Sequence, residues 1–445
     1  METFFKRLLI SLVILLLLPF SSTSLFITPA RQSPSAVAPA ARSESVAEIR
    51  QRTFERVWQI VKDKHFDPNF NGVDWQAVHE RYAPQVAAIK SDNELYPLLN
   101  NMVGELKQSH FSIIPPSELV DEVEGKERGD LGLDVRVIAG QFVVSMVAPK
   151  SAAERAGLKP GLIITAIDDK TVNDLSQPIL RRKERETKTK FMLRQAALKL
   201  MAGPVGSASK ITFLDREGQS RVATIERQPP LGEPVKFANL PTMYLQFESK
   251  RLANGAGYIR FNVCAFPAVS QFRAAMKDFE DAPGIIIDLR GNRGGVGQIS
   301  QEIARLFCRE RASLGTMKTR MGEQNFGVSP NPEATQAMLI ILTDETTGST
   351  AEVLAGGLQG IGRAVIVGQT SAGGVLPANT EKLPNGALFL FAIADFKTSN
   401  GIRLEGVGVQ PDYEIPLTRE SLLAGHDLAL EKAASIIESR KSSRQ

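Results

Sequence analysis

The sequence is poor in the residues that build metal and disulfide frameworks. It holds two cysteines, Cys264 and Cys308, in 445 residues, too few for a cross-linked scaffold in a chain this long. They read as two buried thiols or as one bridge. Neither belongs to a CxxC pair, and the four histidines are scattered. That argues against a zinc site, and no metal or cofactor is expected. Arginine-rich runs and interleaved aromatic and basic residues are also missing, and a net charge of +4 is small against 53 basic and 49 acidic residues. A nucleic-acid surface is therefore not expected.

Long apolar runs are absent but for one, Leu8–Phe20, "LLISLVILLLLPF". Lys6 and Arg7 precede it and the small polar "SSTS" follows, the charged head, apolar core and small-residue tail of an export signal. The run falls short of the roughly 20 residues of a membrane span. The expected reading is a cleaved signal over residues 1–24 and a flexible linker over 25–44, rich in Pro, Ala and Ser. A retained segment is the alternative and would tie the chain to a membrane. No cysteine follows the run to accept a lipid. The chain is expected to work outside the cytoplasm, in a periplasm or another extracytoplasmic space.

The chain as a whole has the composition of a soluble globular protein, 43% hydrophobic and 23% charged. Residues 45–120 read as a helical segment. Val46, Ile49, Phe54, Val57, Trp58 and Val61 recur at helical spacing. A second helix starts at the capping box Ser91–Glu94 and carries a stripe through Leu95, Leu99, Met102 and Leu106, with Pro97 early in it. It ends near "GELKQSH", which leaves Ser109 and His110 at its exit. From 236 to 440, apolar strands such as "GIIIDLR" and "MLIILTD" alternate with helices, the pattern of an α/β core with a covered sheet and a C-terminal helix. "GALFLFAIADF" reads as one further strand.

One more absence bears on chemistry. In "TTGSTAEVLAGGLQGIGRAVIVGQTSAGG", Thr346 to Gly374, a glycine turn lifts Ser349 to the start of a helical run, and no lysine is present. A serine hydroxyl needs a positioned base to act as a nucleophile. Read alone, "STAE" is equally a capping box between Ser349 and Glu352.

The motifs "GYIRFN", "IIIDLRGNRGG", the stretch just quoted and "GVGVQPD" together resemble the carboxyl-terminal processing (tail-specific) serine peptidase family and its tricorn-core relatives. The resemblance implies a crotonase-like spiral core of β-β-α units. Residues 127–230 similarly resemble a PDZ domain: "LGL" at Leu131, Gly132 and Leu133 matches its carboxylate-binding loop, and "AERAGLKPG" the helix and turn that follow. The basic stretch "LRRKERETKTKFMLRQAALKLM" looks like a helical insertion, most simply a solvated helix. In the processing branch the nucleophile falls on Ser349, but the lysine position is Gly374 and the aspartate position is Gly360. The tricorn-like branch uses a serine, a histidine, a serine directly before it, and a glutamate. By that resemblance the catalytic residues are Ser349, His110, Ser109 and Glu405, with Glu405 acting through a hydroxyl or a water. A histidine of ordinary pKa, about 6.5, titrates near neutrality. Thr350 supplies an oxyanion donor at a helix N-terminus, and Gly294 or Gly295 a second, each worth about 3 kcal/mol at the transition state. Lys382 stands as an alternative base in a polar turn, and His65, His79 and His426 as structural or exposed.

The function so implied is an exported serine endopeptidase whose PDZ domain binds the C-terminal end of protein or peptide substrates. The other reading is a catalytically inactive family member serving as a peptide- or ligand-binding scaffold.

Overall fold

The computed structural model describes residues 44–123, 125–237 and 239–442. The expected signal, and the linker up to residue 43, lie outside the described residues. No helix among the described residues is long and apolar enough to cross a membrane.

Three helices open the chain: Val46–Lys64, Trp75–Ala88 and Asp92–Gly104. Ser45 caps the first through a reciprocal box with Glu48, and Phe54, Val57, Ile60 and Val61 form its buried face. The Trp58 and Trp75 indoles donate to each other's backbone carbonyls at 2.9 and 3.0 Å, which pins the first two helices together. The middle helix is an addition to the sequence reading. Only Trp75, Val78 and Val86 of it are buried, and Pro84 lies inside it, so its stripe is faint. At Ser91 the hydroxyl donates to the Glu94 carboxylate instead of capping a backbone N–H. Directly after His110 the chain forms the strand Ser112–Ile114, antiparallel to Leu388–Ala392 of the core, with Ser112 opposite Leu390. That pairing carries the helical segment's exit onto the core.

The core sheet has six strands in the order Phe247–Arg251, Gly257–Phe261, Gly284–Asp288, Met338–Thr343, Ala364–Gly368 and Tyr413–Glu414. The first pair is antiparallel and the rest parallel. Every residue of Gly284–Asp288 is buried, as a strand covered on both faces requires. Alternation assigns its side chains. Ile285 and Ile287 join a cluster with Phe272, Ile299 and Leu354 from the helices Phe266–Asp278, Gly297–Ala304 and Thr350–Gly360. Ile286 faces the other way, onto Ala433 and Ile437 of the C-terminal helix Leu428–Ser442.

Two features depart from the sequence reading. "GALFLFAIADF" is two strands, Leu388–Ala392 and Asp395–Thr398, in different sheets. The second pairs with Ala312–Thr319, which forms a hairpin with Gly322–Val328. Much of that hairpin is exposed, so it carries little apolar signal. Cys264 and Cys308 are both buried free thiols.

In the segment that resembles a PDZ domain, an antiparallel sheet runs Ser220–Glu226, Ala208–Leu214, Ile163–Ile167, Gln141–Val147, Leu133–Ile138, with the last strand at an edge. The basic stretch is not a solvated helix. Glu186–Met201 packs beside the edge strand and buries Leu193, Arg194, Ala197 and Met201. Its apolar positions are diluted by Lys and Arg whose stems cover surface, which hid the buried face.

Candidate active site

The strand Met338–Thr343 ends in the turn 344–349, and the helix Thr350–Gly360 begins at once. Ser349 sits at φ 54°, ψ −123°, a left-handed conformation that a non-glycine residue holds only when its surroundings enforce it. Several bonds do so. The Ser349 N–H donates to the Gly374 carbonyl at 2.9 Å and to Glu352 Oε2 at 3.0 Å. The Gly348 N–H donates to the Asn292 carbonyl at 2.9 Å. The bond from the Ser349 N–H to Glu352 is the return half of a capping box at the start of this helix. Gly294, at φ 87°, presses on this turn: a Cβ there would lie 2.6 Å from Ser349 Cβ and 2.7 Å from Thr350 N. Only glycine fits.

Ser109, His110 and Glu405 meet in one chain of hydrogen bonds. Glu405 Oε1 accepts the Ser109 N–H at 2.7 Å, and its Oε2 accepts the Ser109 hydroxyl at 2.8 Å and the Val375 N–H at 3.0 Å. Ser109 Oγ lies 2.7 Å from His110 Nδ1. Proton counting fixes the tautomer. An ionised carboxylate only accepts, so the single hydroxyl proton of Ser109 goes to Glu405. His110 Nδ1 must then be the donor to Ser109 Oγ, which leaves Nε2 with a free lone pair. Glu405 touches Ser109 and not the ring, so its reach to His110 is through the hydroxyl. Burial pushes the His110 pKa down to about 4, well below the near-neutral value expected from the sequence, because the charged ring would lose its hydration.

The dipeptide Gly374–Val375 joins the two clusters. Gly374 accepts from Ser349 and Val375 donates to Glu405. The Gly374 α-carbon faces Ser109, so that a Cβ would already lie 3.4 Å from Ser109 Cβ. The position where a lysine is missing thus borders Ser109 at contact distance. The other departure, Gly360, packs its α-carbon toward Asn400 and Ser399 at the far end of the helix.

Glu352 does more than the sequence suggested. Wholly buried, it accepts from Ser371 Oγ at 2.5 Å, Gly373 N at 2.7 Å, Gly374 N at 3.0 Å and Ser349 N at 3.0 Å. Burial raises its pKa to about 7 in spite of these donors. At the helix N-terminus the Thr350 N–H has no preceding turn to bond. Of the two glycines considered beside it, Gly294 gives its N–H to Asn292 Oδ1 at 2.9 Å, which leaves Gly295. Lys382 is exposed at the end of Ala378–Lys382 and takes no part in these contacts. His65 is buried, bonded to Gln108 Oε1 at 2.8 Å and stacked on Phe111, and so braces the segment before Ser109. His79 and His426 pair with Glu55 and Glu431.

An ion network ties the neighbouring sheet to these loops. Arg136, on the edge strand, reaches Asp344 at 2.9 Å and Asp134 at 2.6 Å, and Arg194 holds Asp134 at 2.8 Å. Asp344 also accepts the Gly291 N–H at 3.2 Å. Burial alone would raise the Asp344 carboxyl, but the Arg136 guanidinium and Thr346 hold it below its usual range.

Residues 255–415 match the model of Peptidase family S41, residues 46–104 that of the tricorn protease C1 domain, and residues 121–193 that of a PDZ domain. The chain thus carries a peptidase family S41 domain over residues 255–415. Among curated relatives it is similar to a carboxyl-terminal-processing protease of Synechocystis sp., 26% identical over 81% of this chain and 80% of that one. It is also similar to carboxyl-terminal-processing peptidase 3, chloroplastic, of Arabidopsis thaliana, at 24% over 84% and 70%. The putative tricorn protease homolog 2 of Streptomyces coelicolor is 23% identical over 88% of this chain but 32% of its own length. Among solved structures, the photosystem II D1 C-terminal processing protease superposes with a TM-score of 0.59 at 21% identity, covering 82% of this chain and 93% of that one. Mature CPAF does so at 0.62 and 13%, covering 87% and 97%. At these identities the two structures speak for the shared fold.

Proposed function

We propose that this S41 chain is a serine endopeptidase in which Ser349 is the nucleophile and His110 its base. The observation that carries this reading is the chain of bonds Glu405–Ser109–His110, joined to the Ser349 turn through Gly374. Ser349 Oγ attacks the peptide carbonyl while His110 Nε2 takes its proton. Ser109 and Glu405 stabilise the imidazolium through Nδ1–H. The Thr350 and Gly295 N–H groups face the developing oxyanion. His110 then returns the proton to the leaving amine, and a water repeats the cycle to free the acyl group.

The PDZ domain binds the C-terminal end of a protein substrate as an added strand along Leu133–Ile138, whose outer edge pairs with no other strand among the described residues. The relatives' names support processing of protein C-termini, and their names as proteases favour the enzyme over an inactive scaffold. The signal-like N-terminus and the chloroplastic relatives support work outside the cytoplasm, in a periplasm or lumen.

Incubating the purified chain with a denatured proteome and reading new C-termini by mass spectrometry tests the reading. Cleavage products that vanish with Ser349→Ala support it. An intact, folded chain that yields no products with any substrate overturns it.

A further inference from the structure

A cleft of about 910 Å³ lies between the PDZ carboxylate-binding loop, Leu131 to Leu133, and the core loop Gly291–Gly295. Its acidic side chains are all engaged. Asp121 is held by Lys236 and Thr242, Asp134 by Arg136 and Arg194, Glu233 by Gln271 and Glu248 by Lys250, and Asp130 accepts the Gly132 N–H. The cations are not all engaged. Arg293, exposed to the cleft, has no hydrogen-bond or ion-pair partner among the described residues. The strongest charge acting on it is another guanidinium, Arg194, whose Nη1 is itself buried and unpaired.

The loop across the cleft has the opposite deficit. In a PDZ domain of the proposed kind, backbone N–H groups receive the peptide carboxylate. Here the central one, Gly132 N–H, is spent on Asp130 Oδ1 at 2.8 Å, and that carboxylate would repel an incoming one. A carboxylate docking here needs a counter-charge that the loop does not supply.

We propose that Arg293 is that counter-charge: a guanidinium on the core's glycine loop that reads a substrate carboxylate in the cleft. This rests on the reading that the PDZ groove receives a substrate chain. The ligand is a carboxylate, from the α-carboxyl end of the substrate or from an acidic side chain close to that end. A guanidinium offers it two parallel N–H donors, which a lysine cannot. Arg293 directly precedes Gly294, which packs on Ser349 and Thr350. The residue that reads the chain end is therefore one peptide bond from the loop that shapes the nucleophile's turn.

The test measures binding without chemistry. In the full chain carrying Ser349→Ala, fluorescence anisotropy follows one labelled peptide with an apolar C-terminus in free-carboxylate form, in amidated form, and in amidated form with a penultimate Glu. Arg293→Gln is expected to weaken the free-carboxylate peptide about tenfold, about 1.4 kcal/mol, and to leave the neutral amidated peptide unchanged. Arg293→Lys should retain part of the gain, and its melting temperature reports whether the fold holds. An Arg293-dependent gain from the penultimate Glu assigns the subsite to acidic side chains as well; its absence assigns the subsite to the chain end alone. Equal binding of all forms by the parent, or equal loss of all forms in Arg293→Gln, overturns the proposal. Failure of the peptidase reading would appear separately, as absent cleavage in the chain with Ser349 intact.

Discussion

Ser349 and Glu352 stand a single helical turn apart, and their hydrogen bonds close within the stretch Ser349–Gly374. Ser109 and Glu405, on the other side of the same turn, meet across 296 residues. Both glutamates take a main-chain N–H from neighbouring residues of one dipeptide, Gly374 for Glu352 and Val375 for Glu405. The side that carries the proposed nucleophile is thus a local construction, set by a strand end, a glycine turn and a helix start. The side that carries the proposed base exists only when the helical segment docks through the strand Ser112–Ile114. A local device tolerates loosening elsewhere in the fold, and a long-range one does not.

The sharpest way to break this division is to remove the proton carrier. His110→Ala should lower kcat/KM by about four to six orders of magnitude, as loss of a triad histidine does elsewhere, with the melting temperature little changed. Gly374→Lys in that background should restore nothing, because a side chain there meets Ser109. Recovery of activity would mean that the two sides are less distinct than the hydrogen bonds indicate.

Ser109→Ala and Glu405→Gln come next, each with a loss of about 10²- to 10⁴-fold. In the proposed mechanism Glu405 acts through the Ser109 hydroxyl, so the double variant should lose little more than the worse single one. Additive losses, measured as kcat/KM in a double-mutant cycle, would show that Glu405 reaches the reaction by another route.

The third prediction uses pH. His110 has a lowered pKa, about 4 against the ordinary 6.5, so the native state binds fewer protons than the unfolded chain between these values. Stability is therefore lost as pH falls from 6.5 to 4. Glu352 has a raised pKa, about 7 against 4.5, so its contribution is lost as pH rises from 4.5 to 7. The two slopes oppose each other and nearly offset, each worth about 3 kcal/mol across its window. Urea unfolding of Glu352→Gln should show stability rising with pH over this range, and His110→Ala should show it falling. The same slope in both variants would refute the opposition. In activity, a limb near pH 7 should belong to Glu352 and be absent from the pH profile of Glu352→Gln.

The smallest effect is expected at Lys382→Ala, within about twofold of the parent, because Lys382 is exposed and outside the site contacts.

The local side was also the legible one. Glycine before Ser349, the apolar run "MLIILTD" and the helix start are contiguous signals, and the buried strands read directly from unbroken apolar runs. Glu352 was visible only as a cap, since a sequence does not show that Ser371, Gly373 and Gly374 fold back onto it. Ser109, His110 and Glu405 rested on the family pattern alone, because no local rule links residues so far apart. Arg136 went unread because a charged residue on an alternating strand looks solvated, and its partner Asp344 lies in the turn after a strand of another sheet. The break of "GALFLFAIADF" at Ile393 and Ala394 was hidden because both halves are apolar.

The rate at which a fluorophosphonate modifies Ser349 reports directly on which group activates it. With His110 as the base, labelling falls to the level of Ser349→Ala in His110→Ala and stays near the parent rate in Lys382→Ala. Fast labelling of His110→Ala, together with its loss in Lys382→Ala, would contradict an imidazole-driven nucleophile.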